Sequence, residues 1–461
     1  MTPPRDAGVN PRSSSGSGGR LACDFVLLGV GELVTVASSA APDLGVLTGA
    51  ALAAHEGRIV WIGDESRMKS EVETDDDTIV VDASGLAVLP GFVDAHTHAV
   101  FAGDRSEEYA ARLRGASYLE IMEGGGGIAE TVRATRDASP NELSALARRR
   151  FDSFLRHGTT TVETKTGYGL SLEAERACLE AAKIEHPLRR LHTLLAAHAV
   201  PPEFAGRADA YLDLVCDEIL PALAGEAEFC DVFCDEGAFT VEQSRRVLTR
   251  ARDLGLGLKM HAEQLAHSGG AQLAAELGCV SADHLELATA DDCRALARAG
   301  VIAVLLPGTS YTLRMPYAPA RALLDAGVEI ALATDFNPGS SYCENLQMAI
   351  SLACQEGGLT PDEALRAATL GGAAAIGRRA DLGSLEVGKA CDLIILETES
   401  HRELPYHYGV NRVAAAVIGG RLVMHEGDVL EDDQEGHEHS GHVHDHEHGE
   451  DCGCGEHEAA T

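Results

Sequence analysis

The sequence predicts an α/β protein: a (β/α)8 TIM-like barrel carrying a small composite β-sandwich built from both ends of the chain. Two observations carry that expectation. Between Leu89 and Asp381, eight short apolar runs alternate with amphipathic stretches over about 280 residues, which fits a closed parallel barrel better than an open sheet. On either side of that region the pattern is strand-like throughout.

Residues 1–20 are rich in Pro, Ser and Gly and are expected to be disordered. Residues 21–88 hold the apolar runs Phe25–Leu28, Ala51–Ala54, Ile59–Ile62 and Ile79–Val81, broken by Gly and Asp, with Gly57-Arg58 as a hairpin turn. Residues 89–381 form the barrel. Its candidate strands are Gly91–His96, Thr159–Thr164, Leu191–Ala197, Cys230–Cys234, Gly257–His261, Val280–His284, Val301–Leu305 and Glu329–Asp335. Helical patterns separate them at Ser139–His157, Leu172–His186, Val241–Asp253, Ala266–Leu277, Ala290–Arg298 and Pro316–Ala326. Thr360-Pro361-Asp362-Glu363 opens a further helix with a hydroxyl cap, a first-turn Pro and an acid at the third position. Residues 382–430 return to strands, at Ala390–Leu396 and Val413–Met424, and should pack against residues 21–88. Residues 431–461 are a low-complexity, His- and acid-rich tail, expected to be disordered.

Composition narrows the function. The 461 residues carry a net charge of −35. From Glu426 onward there are 13 acidic residues and no Lys or Arg, which leaves about −22 for the rest. Such a surface repels nucleic-acid phosphates and anionic membranes, so neither is an expected partner. No apolar run is long enough to cross a bilayer, and the N-terminus lacks the apolar core of a secretory signal. Twelve Cys without framework spacing read as reduced thiols, and a cytoplasmic location is expected.

The chemistry lies at the strand ends, where barrel enzymes place their reactive groups. In Asp94-Ala95-His96-Thr97-His98 two imidazoles lie two residues apart on one strand and share a face. His198 ends the third strand, His261 the fifth, His284 the sixth and Asp335 the eighth. A lone buried His is usually a satisfied core residue, but six metal-competent groups at five strand ends point to a metal centre. The fourth strand ends in Phe233-Cys234-Asp235-Glu236 and offers no Lys to bridge two metals. One ion held by His96, His98, His261 and Asp335 is therefore expected, with Asp335 and His284 as the groups that handle the proton of an attacking water.

These residues, with FAGDR at 101–105, KTGYGL at 165–170, AHAVPPEF at 197–204, KMHAEQL at 259–265, SADHL at 281–285 and ATDFNPGSS at 333–341, resemble the imidazolonepropionases of the amidohydrolase superfamily. The resemblance covers residues 21–424 and leaves out the His-rich tail. It implies hydrolysis of 4-imidazolone-5-propanoate to N-formimidoyl-L-glutamate, the third step of histidine degradation. It also implies a metal, Zn²⁺ or Fe²⁺/Fe³⁺, on His96, His98, His261 and Asp335, and catalysis by His284. By the same resemblance Arg105, Tyr168, His198, Gln264, Asn337, Gly339 and Ser340 fall at substrate contacts. An Arg fork suits the substrate's propionate, and the glycines flanking Tyr168 permit close approach. Asn337-Pro338-Gly339 would also make an ordinary turn. Lys165 has no second cue and reads as structural. Barrels with composite sandwiches often pair, so a homodimer is one expectation.

Two rivals are set against this reading. A deaminase on the same scaffold needs a proton shuttle, commonly Glu three residues after the fifth-strand His, where this chain has Gln264. A metal-binding or storage protein is suggested by the tail, whose His437, His439, His442, His444, His446, His448 and His457 accompany Cys452 and Cys454. The tail lacks the spacing of a folded zinc site, and it leaves the strand-end residues unexplained.

Overall fold

The structure, a computed structural model, describes residues 20–40, 43–115 and 126–430. The expectations for the N-terminal segment up to residue 19 and for the His-rich tail lie outside these residues.

Eight parallel strands follow one another in chain order around the barrel. They are β1 (Phe92–Thr97), β2 (Thr159–Lys165), β3 (Arg189–Ala197), β4 (Phe229–Cys234), β5 (Gly257–Ala262), β6 (Ser281–His284), β7 (Ile302–Leu305) and β8 (Ile330–Leu332). Their outward residues, such as Val162, Leu194, Val232, Met260 and Ala303, join one core with the surrounding helices. The helix Pro140–Arg156 shows why: Leu143, Ala147, Phe151, Phe154 and Leu155 recur on one face and are all buried, and the Ser139 hydroxyl caps its start by accepting from Glu142 N–H.

β8 and β1 are joined differently from the other neighbours. Asp335 N–H donates to the His96 carbonyl (3.1 Å) and His98 N–H to the Phe336 carbonyl (2.8 Å). The buried Asp94 carboxylate accepts from Thr334 N–H (3.1 Å) and from the Thr334 hydroxyl (2.6 Å). This seam needs the chain to leave strand geometry. β8 therefore stops at Leu332 instead of reaching Asp335, whose φ is +50°.

The sandwich is composite, as expected. Its larger sheet runs Asp428–Val429, Arg421–His425, Val413–Ile418, Leu393–Leu396, Ala87–Pro90, Glu32–Val34, Val46–Leu47. Leu393–Leu396 pairs antiparallel with Ala87–Pro90 and so ties the two chain ends together. The smaller sheet runs Arg58–Asp64, Ala50–His55, Phe25–Leu28, Ile79–Asp82. Alternation decides the faces: Phe25 and Leu27 enter the core between the sheets, whereas Val26 packs with Trp61 and Met68 on the other face.

Several boundaries differ from expectation for local reasons. The hairpin turn is Glu56-Gly57, not Gly57-Arg58, because both have positive φ (+49° and +77°) and Arg58 already pairs with His55. Val413–Met424 is two strands folded at Gly419-Gly420, where φ is again positive. The helix expected from Ala266 starts at Gly270, since side-chain carboxylates take the preceding N–H groups. Short helices such as Glu65–Glu71, Ser106–Leu113 and Pro307–Leu313 carry too few turns to show a period.

A helical stretch at 367–375 packs on β1 and β8. A Cβ on Gly372 would sit 2.2 Å from the Val93 carbonyl oxygen, and one on Gly371 equally close to that of Ile330. Alanine gains about 0.5–1 kcal/mol within a helix, but the obstacle here is backbone and cannot swing aside. We expect Gly372→Ala to lower stability by about 1–3 kcal/mol net, measured by urea unfolding; equal or greater stability would show that the strand yields freely.

Candidate active site

The polar groups of the barrel mouth converge at the seam. His96 Nε2 and His98 Nε2 lie 3.5 and 3.6 Å from the same Asp335 oxygen, Oδ1. The ring of His261 is 4.5 Å from that of His96, and His284 is 5.6 Å from it. Potential ligand atoms of His96, His98 and Asp335 cluster, and so do those of His96, His261 and His284. His96, His98 and Asp335 are held together by the seam's own hydrogen bonds. His284 adopts φ +79° and leaves the strand, as Asp335 does.

Three of the four donor side chains, His96, His261 and Asp335, are oriented from behind. His96 Nδ1 is 2.6 Å from Asp283 Oδ2, and His261 Nδ1 is 3.0 Å from Asp231 Oδ2. At His96 the carboxylate accepts the Nδ1 proton, which leaves Nε2 bare, whereas at His261 the close approach of Asp231 positions the ring without a well-formed hydrogen bond. Thr309 donates its hydroxyl to Asp335 Oδ2 at 2.5 Å, leaving Oδ1 for the imidazoles. Burial, reinforced by neighbouring cationic groups, holds His96 and His98 well below the ordinary imidazole pKa. His98 Nδ1, His96 Nε2 and both ring nitrogens of His261 are buried without a hydrogen-bond partner. Unpartnered imidazole nitrogens grouped beside a buried carboxylate fit a divalent ion of the zinc or iron kind.

Behind them the barrel interior is ionic. Lys165 Nζ lies 2.9 Å from Glu163, 2.8 Å from Asp231 and 3.5 Å from Asp283, all fully buried. Burial opposes its charge, but these three carboxylates outweigh burial and hold it above the ordinary lysine pKa. With its Nζ enclosed by three carboxylates, Lys165 serves as their ion-pair partner. A further group among the described residues, Glu263, His267 and Asp292, also clusters. Its carboxylates are already occupied by Ser268, Gly269 and Ala271 N–H and by Thr289 and Gln272.

The donors open into a cavity of 390 Å³ that His98, His261, His284 and Asp335 line together with Arg105, Tyr168, His198, Gln264, Asn337, Gly339 and Ser340. The structure thus brings together every residue expected there except His96, which is fully buried behind it. A larger cavity of 620 Å³ beyond the Asn337–Ser341 turn, walled by Tyr109, Tyr311 and Tyr342, holds none of the convergent donors.

The wall residues differ in how free they are. His198 stacks on His98 at 5.1 Å, and burial lowers its pKa to about 3. Its Nδ1 faces the Gly167 carbonyl, so Nε2 is an acceptor. Glu286 faces His284 Nδ1 at 3.4 Å and outweighs burial, raising that imidazole to about 8. Glu108 grips Arg105 Nε and Nη2 at 2.7 and 2.6 Å, leaving the Nη1 edge over Gly339. The Asn337 side chain builds the turn, accepting from Gly339 and Ser340 N–H and donating to Ser340 and to the Asp335 carbonyl.

Two loops are pinned by buried carboxylates. Asp235 accepts from the N–H groups of Gln264, Leu265 and Ala266, and Glu175 from those of Gly167, Gly169 and Leu170. Sequence reasoning missed Glu108, Asp231, Asp235, Glu175, Asp283, Glu286 and Thr309 and set Lys165 aside. For Glu163, Lys165, Asp231, Lys259 and Asp283 a signal was available: charged residues recur within the barrel strands themselves.

Set beside known proteins, residues 87–423 match the profile of the Amidohydrolase family. Imidazolonepropionase of Symbiobacterium thermophilum is 51% identical, covering 88% of this chain and 98% of its own length. That of Parabacteroides distasonis is 47% identical, covering 83% and 93%. Among solved structures, a triazine hydrolase from Arthrobacter aurescens superposes with a TM-score of 0.72 at 19% identity, covering 89% of this chain and 96% of its own. An adenosine deaminase from Xanthomonas campestris with bound zinc gives 0.66 at 22%, covering 90% and 96%. At those identities the structures speak for the fold alone.

Removing the Glu175 carboxylate should loosen the Tyr168 loop without touching the sandwich. Each hydrogen bond to a charged acceptor is worth about 1.5–3 kcal/mol. We expect Glu175→Ala to speed amide exchange at Gly167, Gly169 and Leu170 at least ~10-fold, with Leu27 and Leu52 unchanged. Unaltered exchange in the loop would mean that something else holds it.

Proposed function

The chain belongs to the amidohydrolase family and within it to the imidazolonepropionases, and we propose how its barrel mouth opens a cyclic amide. The reaction is hydrolysis of the ring C–N bond of 4-imidazolone-5-propanoate to N-formimidoyl-L-glutamate, in the degradation of histidine. The observation that carries the mechanism is the pair of imidazole nitrogens, His96 Nε2 and His98 Nε2, that face Asp335 Oδ1 at the base of a cavity also lined by Arg105.

His96, His98, His261 and Asp335 would hold one divalent ion, zinc or iron. Such an ion supplies positive charge that polarises a carbonyl and lowers the pKa of a coordinated water towards about 7. Asp335, its second oxygen fixed by Thr309, takes a proton from the attacking water. The water oxygen bonds to the ring carbonyl carbon, the bond from that carbon to the ring nitrogen breaks, and the proton passes to that nitrogen. His284, braced by Glu286, orients the water and supports the charge that builds on the carbonyl oxygen. Arg105 draws the propionate through its Nη1 edge, while Gly339 and Ser340 shape that end of the cavity and Tyr168, His198 and Gln264 wall the ring.

We place this barrel at residues 89–381. A reducing compartment such as the cytoplasm suits its chemistry, because all ten described cysteines are free thiols. No described helix is long and apolar enough to cross a membrane.

Two outcomes follow. The metal-replete chain should carry one more tightly held ion than His261→Ala, the difference removing any contribution of the His-rich tail. Elemental analysis giving a difference of two, or none, would overturn the mononuclear site. Arg105→Ala should lower kcat/KM through KM by about 2–3 kcal/mol, the loss of a charge-assisted pair. A Cβ on Gly339 would lie 2.2 Å from Arg105 Nη1, and the backbone there tolerates it. Gly339→Ala should therefore raise KM by displacing that side chain, and should add little to Arg105→Ala in the double variant. Full additivity would separate the two residues.

A further inference from the structure

Beneath the ligand set, two histidines and two aspartates converge on one cation. Asp283 Oδ2 faces His96 Nδ1 at 2.6 Å and Lys165 Nζ at 3.5 Å. Asp231 Oδ2 faces His261 Nδ1 at 3.0 Å and Lys165 Nζ at 2.8 Å. Each carboxylate therefore presents the same oxygen to a histidine and to the ammonium. Glu163 completes the shell of Lys165 at 2.9 Å and is shared with Lys259 at 3.6 Å, whose Nζ also donates to the Ala95 carbonyl beside His96. All of these side chains are fully buried apart from His261, which is 3% exposed.

We propose that Lys165 is a positioning residue for the metal: by holding Asp231 and Asp283 in place, it fixes the ring orientations of His261 and His96 and so sets how tightly the ion is bound. This rests on the assignment of those histidines as ligands. The physical reason is repulsion. Two buried carboxylates that flank one ammonium repel each other strongly in a low-dielectric interior, and the cation between them holds both in place. Without the ammonium the carboxylates move apart, and the imidazoles beside them lose that support. Ligands that lose such support typically bind metal about 10–100-fold less tightly. A lysine that served only the fold would lower stability and leave the affinity alone.

The test measures zinc binding by the full chain, stripped of metal, against a chromophoric chelator. His261→Ala defines the zinc taken up outside the barrel site. We expect Lys165→Met to weaken the remaining site about 10–100-fold and to alter the visible absorption of the cobalt-substituted protein, with far-ultraviolet circular dichroism unchanged. Asp283→Asn and Asp231→Asn should each weaken it about tenfold, the lower end of that range. Lys165→Met should add less than its separate effect in a variant carrying both Asn substitutions. Unchanged zinc affinity and cobalt spectrum in folded Lys165→Met, with only a lower melting temperature, would overturn the proposal. Should Lys165→Met fail to fold, wild-type affinity in both Asn variants overturns it instead. A wild-type chain that binds zinc no better than His261→Ala would remove the metal assignment itself and this inference with it.

Discussion

The seam that closes the barrel also builds the site. β8 and β1 meet through Asp335 N–H on the His96 carbonyl, His98 N–H on the Phe336 carbonyl and the Asp94–Thr334 pair. Those bonds set His96, His98 and Asp335 side by side before any ligand arrives. Closure has an electrostatic consequence. Asp335, Asp283, Asp231 and Glu163 are all buried in the same interior, and Lys165 and Lys259 are the ammonium groups set among them. Burying net negative charge is costly unless a cation balances it. A divalent ion at the histidines would supply that balance and would couple metal binding to the fold through charge as well as geometry.

The rest of the mouth is arranged to keep this geometry still. His284 and Asp335 both take positive φ, which L-residues adopt only when their surroundings enforce it. The enforcement is visible: Asp335 is held by its backbone bond to His96 and by Thr309, and Leu285 N–H after His284 donates to the Ala262 carbonyl. The loops that carry Tyr168 and Gln264 are fastened in one way, each by a buried carboxylate that collects three backbone N–H groups. Pocket walls prepared like this lose little entropy when a small ring acid enters.

Much of this was legible in the sequence, because strand ends in a parallel barrel are countable. His96, His98, His261, His284 and Asp335 stood out once eight strand-like runs were placed in order, and the strand texture at both ends anticipated the composite sandwich. What stayed hidden depends on neighbours far apart in the chain. Asp283 meets His96 across 187 residues, and Asp94 meets Thr334 across 240. Single-strand periodicity says nothing about either pair. Lys165 looked structural for the same reason: beyond Glu163 on its own strand, its partners Asp231 and Asp283 come from β4 and β6. The end of β8 was misplaced because a left-handed residue leaves no mark when the residue is Asp rather than Gly.

Gln264 is where the wall of the pocket separates ring opening from deamination. A deaminase must deliver a proton to an ammonia that leaves the molecule, which calls for an acid able to give up a proton and regain it. The Gln264 amide can hydrogen-bond but cannot do this near neutral pH. The acid next to it in the chain, Glu263, is turned away, its carboxylate occupied by Ser268, Gly269 and Ala271 N–H at the start of the Gly270–Leu277 helix. Opening a cyclic amide makes a smaller demand: the departing nitrogen stays tethered to its own product, within reach of a carboxylate at the barrel mouth such as Asp335. One carboxylate can then serve both halves of the transfer, and a neutral side chain at the adjoining wall is enough.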